Sequence, residues 1–370
     1  MSGRHILCVI GTRPEAIKMA PVVAAFNAHP AGFAVTVAVT AQHREMLDQV
    51  LANFAIRPQI DLDIMTEGQS LPELTARLLP ALDRVLAETR PDFILAQGDT
   101  TSVFLAALAA FYRRVPFGHV EAGLRTGDRA RPFPEEINRT LVGRLATRHY
   151  APTASAAANL RREGVPEEAI LVTGNTVIDA LHHMVARKPE LPFAIAPDKR
   201  LVLVTAHRRE NFGAPFEGIL GAIMRLAELH PDIEIVYPVH PNPNILGPAQ
   251  RLLGERQRIR LVAPLDYAGF VAAMAKSHLI VSDSGGVQEE APALGKPVLV
   301  LREVTERPEA VAAGVVKVIG VDPERIVAEA SLLLTDSAAY RAMAKGVSPY
   351  GDGKAAARIA ADLAATSDIP

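Results

Sequence analysis

The chain has 370 residues, 49% of them apolar and 22% charged, with 39 basic and 41 acidic side chains for a net charge of −2. These values exclude a disordered chain, which needs low hydrophobicity and high net charge, and they provide no basic footprint for nucleic acid. The single cysteine, Cys8, excludes an intramolecular disulfide and a cysteine-rich zinc site, and at roughly 150 residues per domain the length predicts two or three domains.

In chain order, the first β-branched run is Ile6 to Ile10. It stops at Gly11-Thr12-Arg13-Pro14-Glu15, where a helix is expected to open on Pro14. The N-terminus does not read as a signal peptide, because this short apolar run is not followed by a small-residue cleavage site. Further strands are expected at Val35 to Val39, Phe93 to Ala96 and Pro116 to His119, with helical segments between them. The longest apolar stretch, Val103 to Tyr112, is about half of the ~20 residues that span a bilayer. The expectation is a cytoplasmic protein with no membrane segment and no nucleic-acid partner.

Near Arg187 to Arg200 the alternation lapses into a proline-rich stretch with no helical period, which reads as a linker. It then restarts with Leu201 to Thr205, Ile233 to Tyr237, Ile259 to Val262, Leu279 to Ser282 and Pro297 to Leu301. Strands alternating with helices predict parallel βαβ units, hence an α/β chain of two similar halves. The breaker Tyr350-Gly351-Asp352-Gly353 precedes a last helical stretch, Lys354 to Ala365, which could pack on either half. Two Rossmann-like sheets facing across a cleft bind ligand at the carboxyl ends of their strands, so the residues just after each strand carry the chemistry.

Those positions are rich in reactive side chains. Arg13, in a tight turn entering a helix, offers a guanidinium fork suited to phosphate, or simply a capped turn with a surface arginine. Asp99 in Gln97-Gly98-Asp99-Thr100-Thr101, Glu121 in His119-Val120-Glu121-Ala122-Gly123, and Glu135 in Pro132-Phe133-Pro134-Glu135-Glu136 each have an ordinary structural reading as cap or first-turn acid. Three such carboxylates at strand ends are harder to dismiss. In the second half, His207 in Thr205-Ala206-His207-Arg208-Arg209-Glu210 and His240 in Val239-His240-Pro241 stand at strand ends too. The segment Ser282-Asp283-Ser284-Gly285-Gly286-Val287-Gln288-Glu289-Glu290 reads as strand, small-residue turn and helix start. Its backbone amides form an anion cradle, and Glu290 lies where an acid can take two ribose hydroxyls. No G-x-G-x-x-G or Walker A pattern occurs, which argues against NAD binding and ATP hydrolysis.

Together, GTRPEAIKMAP, TAQHREMLDQV, GDTTS, HVEAGLRTGD, PFPEEINR, TGNTVIDAL, TAHRREN, YPVHPNP, SDSGGVQEEAP, LGKPVL, TERPEA and SPYGDG resemble the non-hydrolysing UDP-N-acetylglucosamine 2-epimerases nearly from end to end. The resemblance implies the glycosyltransferase-B architecture. Residues 1–172 plus 355–370 would form the first domain, with the last helix returning to it, and residues 173–354 the UDP-binding second domain. It implies Asp99, Glu121, Glu135 and His207 as catalytic residues. Arg13, His240, Phe270, Ser284, Gly285, Gly286, Glu290 and Arg307 match the UDP site, with Phe270 against the uracil. Lys18, Gln42, His43, Arg208 and Glu210 match an activator site that holds a second UDP-GlcNAc in bacterial members. Glu45 and Gly68 stand there where some members carry glutamine and arginine, and Leu265 replaces a glutamine near the uracil.

The implied reaction is reversible epimerisation at C2 of UDP-GlcNAc to UDP-ManNAc, through elimination of UDP to 2-acetamidoglucal and re-addition. It needs neither redox cofactor nor metal, and the family is homodimeric. The competing readings are a hydrolysing epimerase that releases UDP and ManNAc, a UDP-sugar transferase of the same architecture, and a non-enzymatic nucleotide-sugar sensor.

Overall fold

The computed structural model describes residues 3–40, 44–66 and 68–366. Packing divides the chain into two units, Met1–His183 with Tyr350–Pro370, and Met184–Pro349.

Among the described residues the first unit is built on seven strands: β1 (Arg4–Ile10), β2 (Phe33–Val39), β3 (Ile60–Asp61), β4 (Phe93–Gln97), β5 (Phe117–Val120), β6 (Arg148–Ala151) and β7 (Ile170–Val172). They lie in the order β3-β2-β1-β4-β5-β6-β7, all pairs parallel, with Cys8 level with Val37 on one side and Leu95 on the other. Helices cover the sheet, so β1 and β4 are buried on both faces and their sequences are continuous apolar runs rather than alternating ones.

The second unit repeats the plan with β8 (Arg200–Thr205), β9 (Ile233–Pro238), β10 (Ile259–Val262), β11 (Leu279–Ser282), β12 (Val298–Val300) and β13 (Val316–Val318). Their order is β10-β9-β8-β11-β12-β13, again all parallel. Its core includes Val202, Val204, Phe216, Ile223, Tyr237 and Leu299, each at most 1% exposed.

In both sheets the third, second and first strands run one way from the centre and the fourth onward the other. Chain direction across the sheet therefore reverses between β1 and β4, and again between β8 and β11. At such a switch point the loops leaving adjacent strands diverge and open a crevice at the carboxyl edge. The strand-end segments singled out in the sequence sit at these two places: Arg13 and Asp99 follow β1 and β4, and His207 and Ser284 follow β8 and β11.

The nine strands expected from the sequence are all present. Four more, β3, β6, β7 and β13, are two to four residues long.

The division of the chain differs from the boundaries expected at 172/173 and 354/355. Helix Thr176–Ala186 begins against the first unit, where the Asn175 N–H donates to Tyr350 O at 2.6 Å. The Asp179 carboxylate accepts the N–H groups of Ala355 and Ala356 at 3.1 and 2.9 Å. It thereby caps helix Ala355–Ala365, whose own Lys354 provides no side-chain cap. That helix lies on the first unit: Asp362 pairs with Arg148 and accepts from the Tyr150 hydroxyl at 3.0 Å. Gly174 and Gly351 make the close approach possible. Both have positive φ, and a Cβ on Gly174 would stand 3.2 Å from Gly351 Cα.

Residues 187–199 form neither helix nor strand. No helix among the described residues is long and apolar enough to cross a membrane.

Candidate active site

At the carboxyl edge of the first sheet, β1 ends at Ile10 and helix Arg13–Asn27 opens at once, with Pro14 in its first turn and Arg13 half-buried. Glu15, one turn in, is 2% exposed and folds back on the loop. It accepts the Gly11 N–H at 2.6 Å and the Thr12 hydroxyl at 3.0 Å, and Thr100, after β4, is also within its reach. Burial pushes the Glu15 carboxyl up to about 7 against the lowering pull of these donors, and nearby Asp99 adds to the rise. Glu15 was not among the expected site residues. Its signal was present in the same five-residue turn as Arg13.

Asp99 follows Gly98, which sits at φ +90°. Arg139 Nη2 pairs with its carboxylate at 2.6 Å, and the Asn138 side chain donates to its carbonyl at 2.9 Å. Arg139 lies one turn along from Glu135 in helix Glu135–Leu145, so the helix that presents Glu135 also orients Asp99. His119 Nε2 lies 2.7 Å from Gly98 O. Burial holds this ring's pKa down to about 3, so it is neutral and donates Nε2–H to the carbonyl.

Glu135 and Glu136 are adjacent and differ completely. Both Glu136 oxygens accept the Thr126 N–H at 3.1 Å, one also accepts the Gly127 N–H at 3.0 Å, and the side chain is 4% exposed. Glu136 is therefore consumed in holding a loop. Glu135 has a buried Oε2 with no hydrogen-bond partner among the described residues. A desolvated acceptor of this kind costs folding free energy, roughly 1–3 kcal/mol.

Glu121 follows β5 in a left-handed conformation, φ +65°, which a side chain with a Cβ adopts at a cost of order 1–3 kcal/mol. Lys18 Nζ meets its Oε2 at 2.5 Å. A residue assigned by resemblance to the activator site thus touches one assigned to catalysis.

In the second unit, His207 and Arg208 leave β8, and the His207 ring lies parallel to that of His240 with centroids 5.9 Å apart. Burial lowers the His207 pKa; the Asp283 charge opposes this, while His240 and Arg208 add to it. Ser284 occupies the N-cap position of helix Gly285–Glu290 without a side-chain capping bond, its N–H held by the Ser282 hydroxyl at 3.0 Å. Arg208 Nη2 and Arg307 Nη2 both come within 3.9 Å of the point where a Cβ on Gly285 would lie. Two guanidinium groups therefore converge on a small-residue turn whose first helical amides are free of intrahelical partners. Arg307 is fixed by Glu289, which is 2% exposed and accepts its Nε–H at 2.5 Å.

Glu290 is 7% exposed, and its Oε1 accepts the Tyr267 hydroxyl at 2.7 Å. Phe270, half-buried, lies in the same helix, Tyr267–Lys276, as that tyrosine. Glu210 pairs with Arg302 at 3.1 Å. Gln42 and His43 lie outside the described residues. Among the described residues no group of three or more histidine, cysteine, aspartate or glutamate side chains is placed to share a metal ion.

Residues 24–364 match the protein family described as UDP-N-acetylglucosamine 2-epimerase. The UDP-N-acetylglucosamine 2-epimerase of Escherichia coli K12 is 54% identical over 365 residues, 96% of each chain. The crystal structure of a putative UDP-N-acetylglucosamine 2-epimerase from Listeria monocytogenes superposes with a TM-score of 0.91 at 47% identity, covering 98% of this chain and 96% of that one. That of the Neisseria meningitidis UDP-GlcNAc 2-epimerase bound to UDP-GlcNAc does so with a TM-score of 0.90 at 47% identity, covering 97% and 99%. Full-length identity near one half, on a fold whose two switch points carry the expected side chains, leads to one conclusion: this chain belongs to the UDP-N-acetylglucosamine 2-epimerase family of isomerases.

Proposed function

We propose that the protein interconverts UDP-GlcNAc and UDP-ManNAc without hydrolysis, by elimination and re-addition of UDP. The C2 proton of the sugar is not acidic, because C2 is not beside a carbonyl. As the C1–O bond to UDP breaks, C1 becomes cation-like and C2–H acidifies. A carboxylate takes the proton, the electron pair closes the C1–C2 double bond, and 2-acetamidoglucal and UDP result. A proton delivered to the opposite face of C2, with UDP adding back at C1, gives the epimer.

Removing and returning a proton on opposite faces calls for two acid–base groups within hydrogen-bond reach of C2. Asp99, Glu121 and Glu135 are the candidates. The observation that carries the reading is Glu135, whose buried oxygen lacks a partner while its neighbour Glu136 is fully engaged. Arg13, Arg307, His240 and the amides of Ser284, Gly285 and Gly286 would receive the diphosphate, whose charge grows as it leaves. Glu290, steadied by Tyr267, would take the ribose hydroxyls, and Phe270 the uracil.

Lys18, Arg208 and Glu210 would serve a second UDP-GlcNAc as activator. The Lys18–Glu121 pair supports a coupling of that ligand to catalysis. The reading is of a homodimer in the cytoplasm. The free, buried Cys8 suits that reducing compartment.

The test is incubation with UDP-GlcNAc alone in deuterated water. UDP-ManNAc carrying deuterium at C2 is the expected product. Free ManNAc would point to the hydrolysing reaction instead, and full retention of the C2 proton would overturn the elimination.

A further inference from the structure

Asp283, the residue after β11, is fully buried, at 0% exposure. Its N–H donates to Thr205 O at 3.0 Å, which locks it to the end of β8. Oδ2 is saturated: it accepts the N–H groups of His207 and Arg208, each at 2.8 Å, with the Asn211 amide at 3.4 Å. Oδ1 is buried and has no hydrogen-bond partner among the described residues. It faces Nδ1 of His207 at 3.6 Å.

The strand ends that set this spacing are themselves fastened. The Tyr237 hydroxyl donates to Ala206 O, immediately before the histidine, and the Thr205 and Ser282 hydroxyls meet at 2.6 Å between β8 and β11. A buried carboxylate oxygen left unpaired is costly. The donor placed to satisfy it is the ring N–H that His207 has if protonated at Nδ1. Closing by about 0.5 Å completes a hydrogen bond, and hydrogen bonds at catalytic sites commonly tighten only on substrate binding.

We propose that Asp283 is a positioning residue that holds His207 as its Nδ1–H tautomer and leaves Nε2 as the ring's hydrogen-bond acceptor toward the sugar nucleotide. The inference rests on the assignment of His207 to the UDP-GlcNAc epimerisation site. In this arrangement Nε2 accepts a hydrogen bond from an O–H or N–H of the bound sugar nucleotide, and the ring stays neutral with its Nδ1–H opposite the Asp283 charge. The ring's lowered pKa agrees, since a neutral imidazole has a tautomer to be fixed. The groups facing the ring are Asp283, His240 and Arg208.

The test is nitrogen-15 NMR of histidine-labelled protein with and without UDP, the His207 signals being identified by their loss in His207→Gln. The wild type should show His207 protonated at Nδ1 near neutral pH, and Asp283→Asn should shift the population toward Nε2–H. Because the corresponding change in a Ser-His-Asp triad costs about 10⁴-fold, and this pair is longer and more exposed, kcat should fall about 10²-fold. The dissociation constant for UDP should move less than about 3-fold. In the His207→Gln background the same substitution should cost less than about 3-fold more, since its effect passes through the ring.

A wild-type His207 protonated at Nε2, or an equal loss of turnover in both backgrounds, would overturn the proposal. If Asp283→Asn does not fold, the wild-type spectrum alone decides. If the wild type makes no UDP-ManNAc, the epimerase reading fails, while the spectrum still reports what Asp283 does to the ring.

Discussion

The two units share a central strand order, and each has a fully buried carboxylate that ties its first strand's exit loop together, Glu15 in one and Asp283 in the other, yet the two work in opposite directions. In the first unit Glu15 follows the first strand and gathers Gly11, Thr12 and Thr100. In the second Asp283 follows the fourth strand and reaches back to the amides leaving the first. Glu15 is served by one amide and two hydroxyls beside another acid, Asp99, and its carboxyl is pushed up to about 7. Asp283 receives two amides and a side-chain amide, and stands beside an imidazole. The difference teaches that one topology provides the crevice, while the donors around a single buried acid decide what the crevice does. In the first unit the edge carries the carboxylates of Asp99 and Glu121, paired with Arg139 and Lys18. In the second it brings Arg208 and Arg307 toward the turn at Gly285.

The sharpest way to break that contrast is to neutralise the acids at the first edge. Asp99→Asn and Glu135→Gln should each lower kcat by about 10²–10⁴-fold while UDP binding, measured calorimetrically, stays near that of the wild type. Glu136→Gln, by contrast, should act on stability through the loop at Thr126 and Gly127. Near-normal turnover in either of the first two variants would remove that residue from the catalytic set.

Next in size are the ligand contacts. Arg13→Ala should weaken UDP by about 10–100-fold, the worth of a charge-assisted hydrogen bond, and leave uridine untouched. Glu290→Ala should weaken both ligands. Equal losses of uridine in the two variants would erase the distinction between phosphate and ribose roles.

Glu15 makes a pH prediction. Its carboxyl ordinarily titrates at 4.5 and in the fold at about 7. Between those values the unfolded chain has released a proton that the native protein still binds, so stability at this site falls as pH rises through the window. A rise of this size corresponds to about 3 kcal/mol. Glu15→Gln should flatten that part of a urea-unfolding profile against pH. An unchanged slope would show that the acid is ionised in the native state.

The smallest effect is expected from Tyr267→Phe. It removes the hydroxyl that steadies Glu290 and leaves the ring's packing. A loss in UDP affinity of about 10-fold or less should follow, with kcat unaltered under saturating substrate.

What the sequence made legible follows from where its signals are local. β1, β4, β8 and β11 are largely apolar runs of four to seven residues ending in turns, so both central strand pairs and the residues after them could be read directly. Edge strands such as β3, two residues long, exist only because a neighbour pairs with them. Asp99, Glu121 and His207 were visible because a polar residue after a buried strand stands out, and Glu135 because it opens a helix directly behind Pro132-Phe133-Pro134. Arg139, Tyr267 and Asp283 were not, since each acts by touching a residue distant in sequence or on another element. Arg139 had a weak signal in its four-residue spacing from Glu135. The choice of Glu135 over Glu136 came from the motif match, and the hydrogen bonds of Glu136 now give it a physical reason.

The cap that Asp179 places on helix Ala355–Ala365 also orders events on the ribosome. The second unit, residues 184–349, is continuous, so it can fold as soon as it has emerged. The first emerges earlier but is incomplete: Arg148 and Tyr150 wait for Asp362, and the amides at 355 and 356 are made only after the whole second unit. Domains generally fold as units, in order of synthesis. Here the earlier-made unit is finished last, and a nascent chain stalled before residue 350 carries a second unit whose sequence is complete and a first unit that still lacks its last helix.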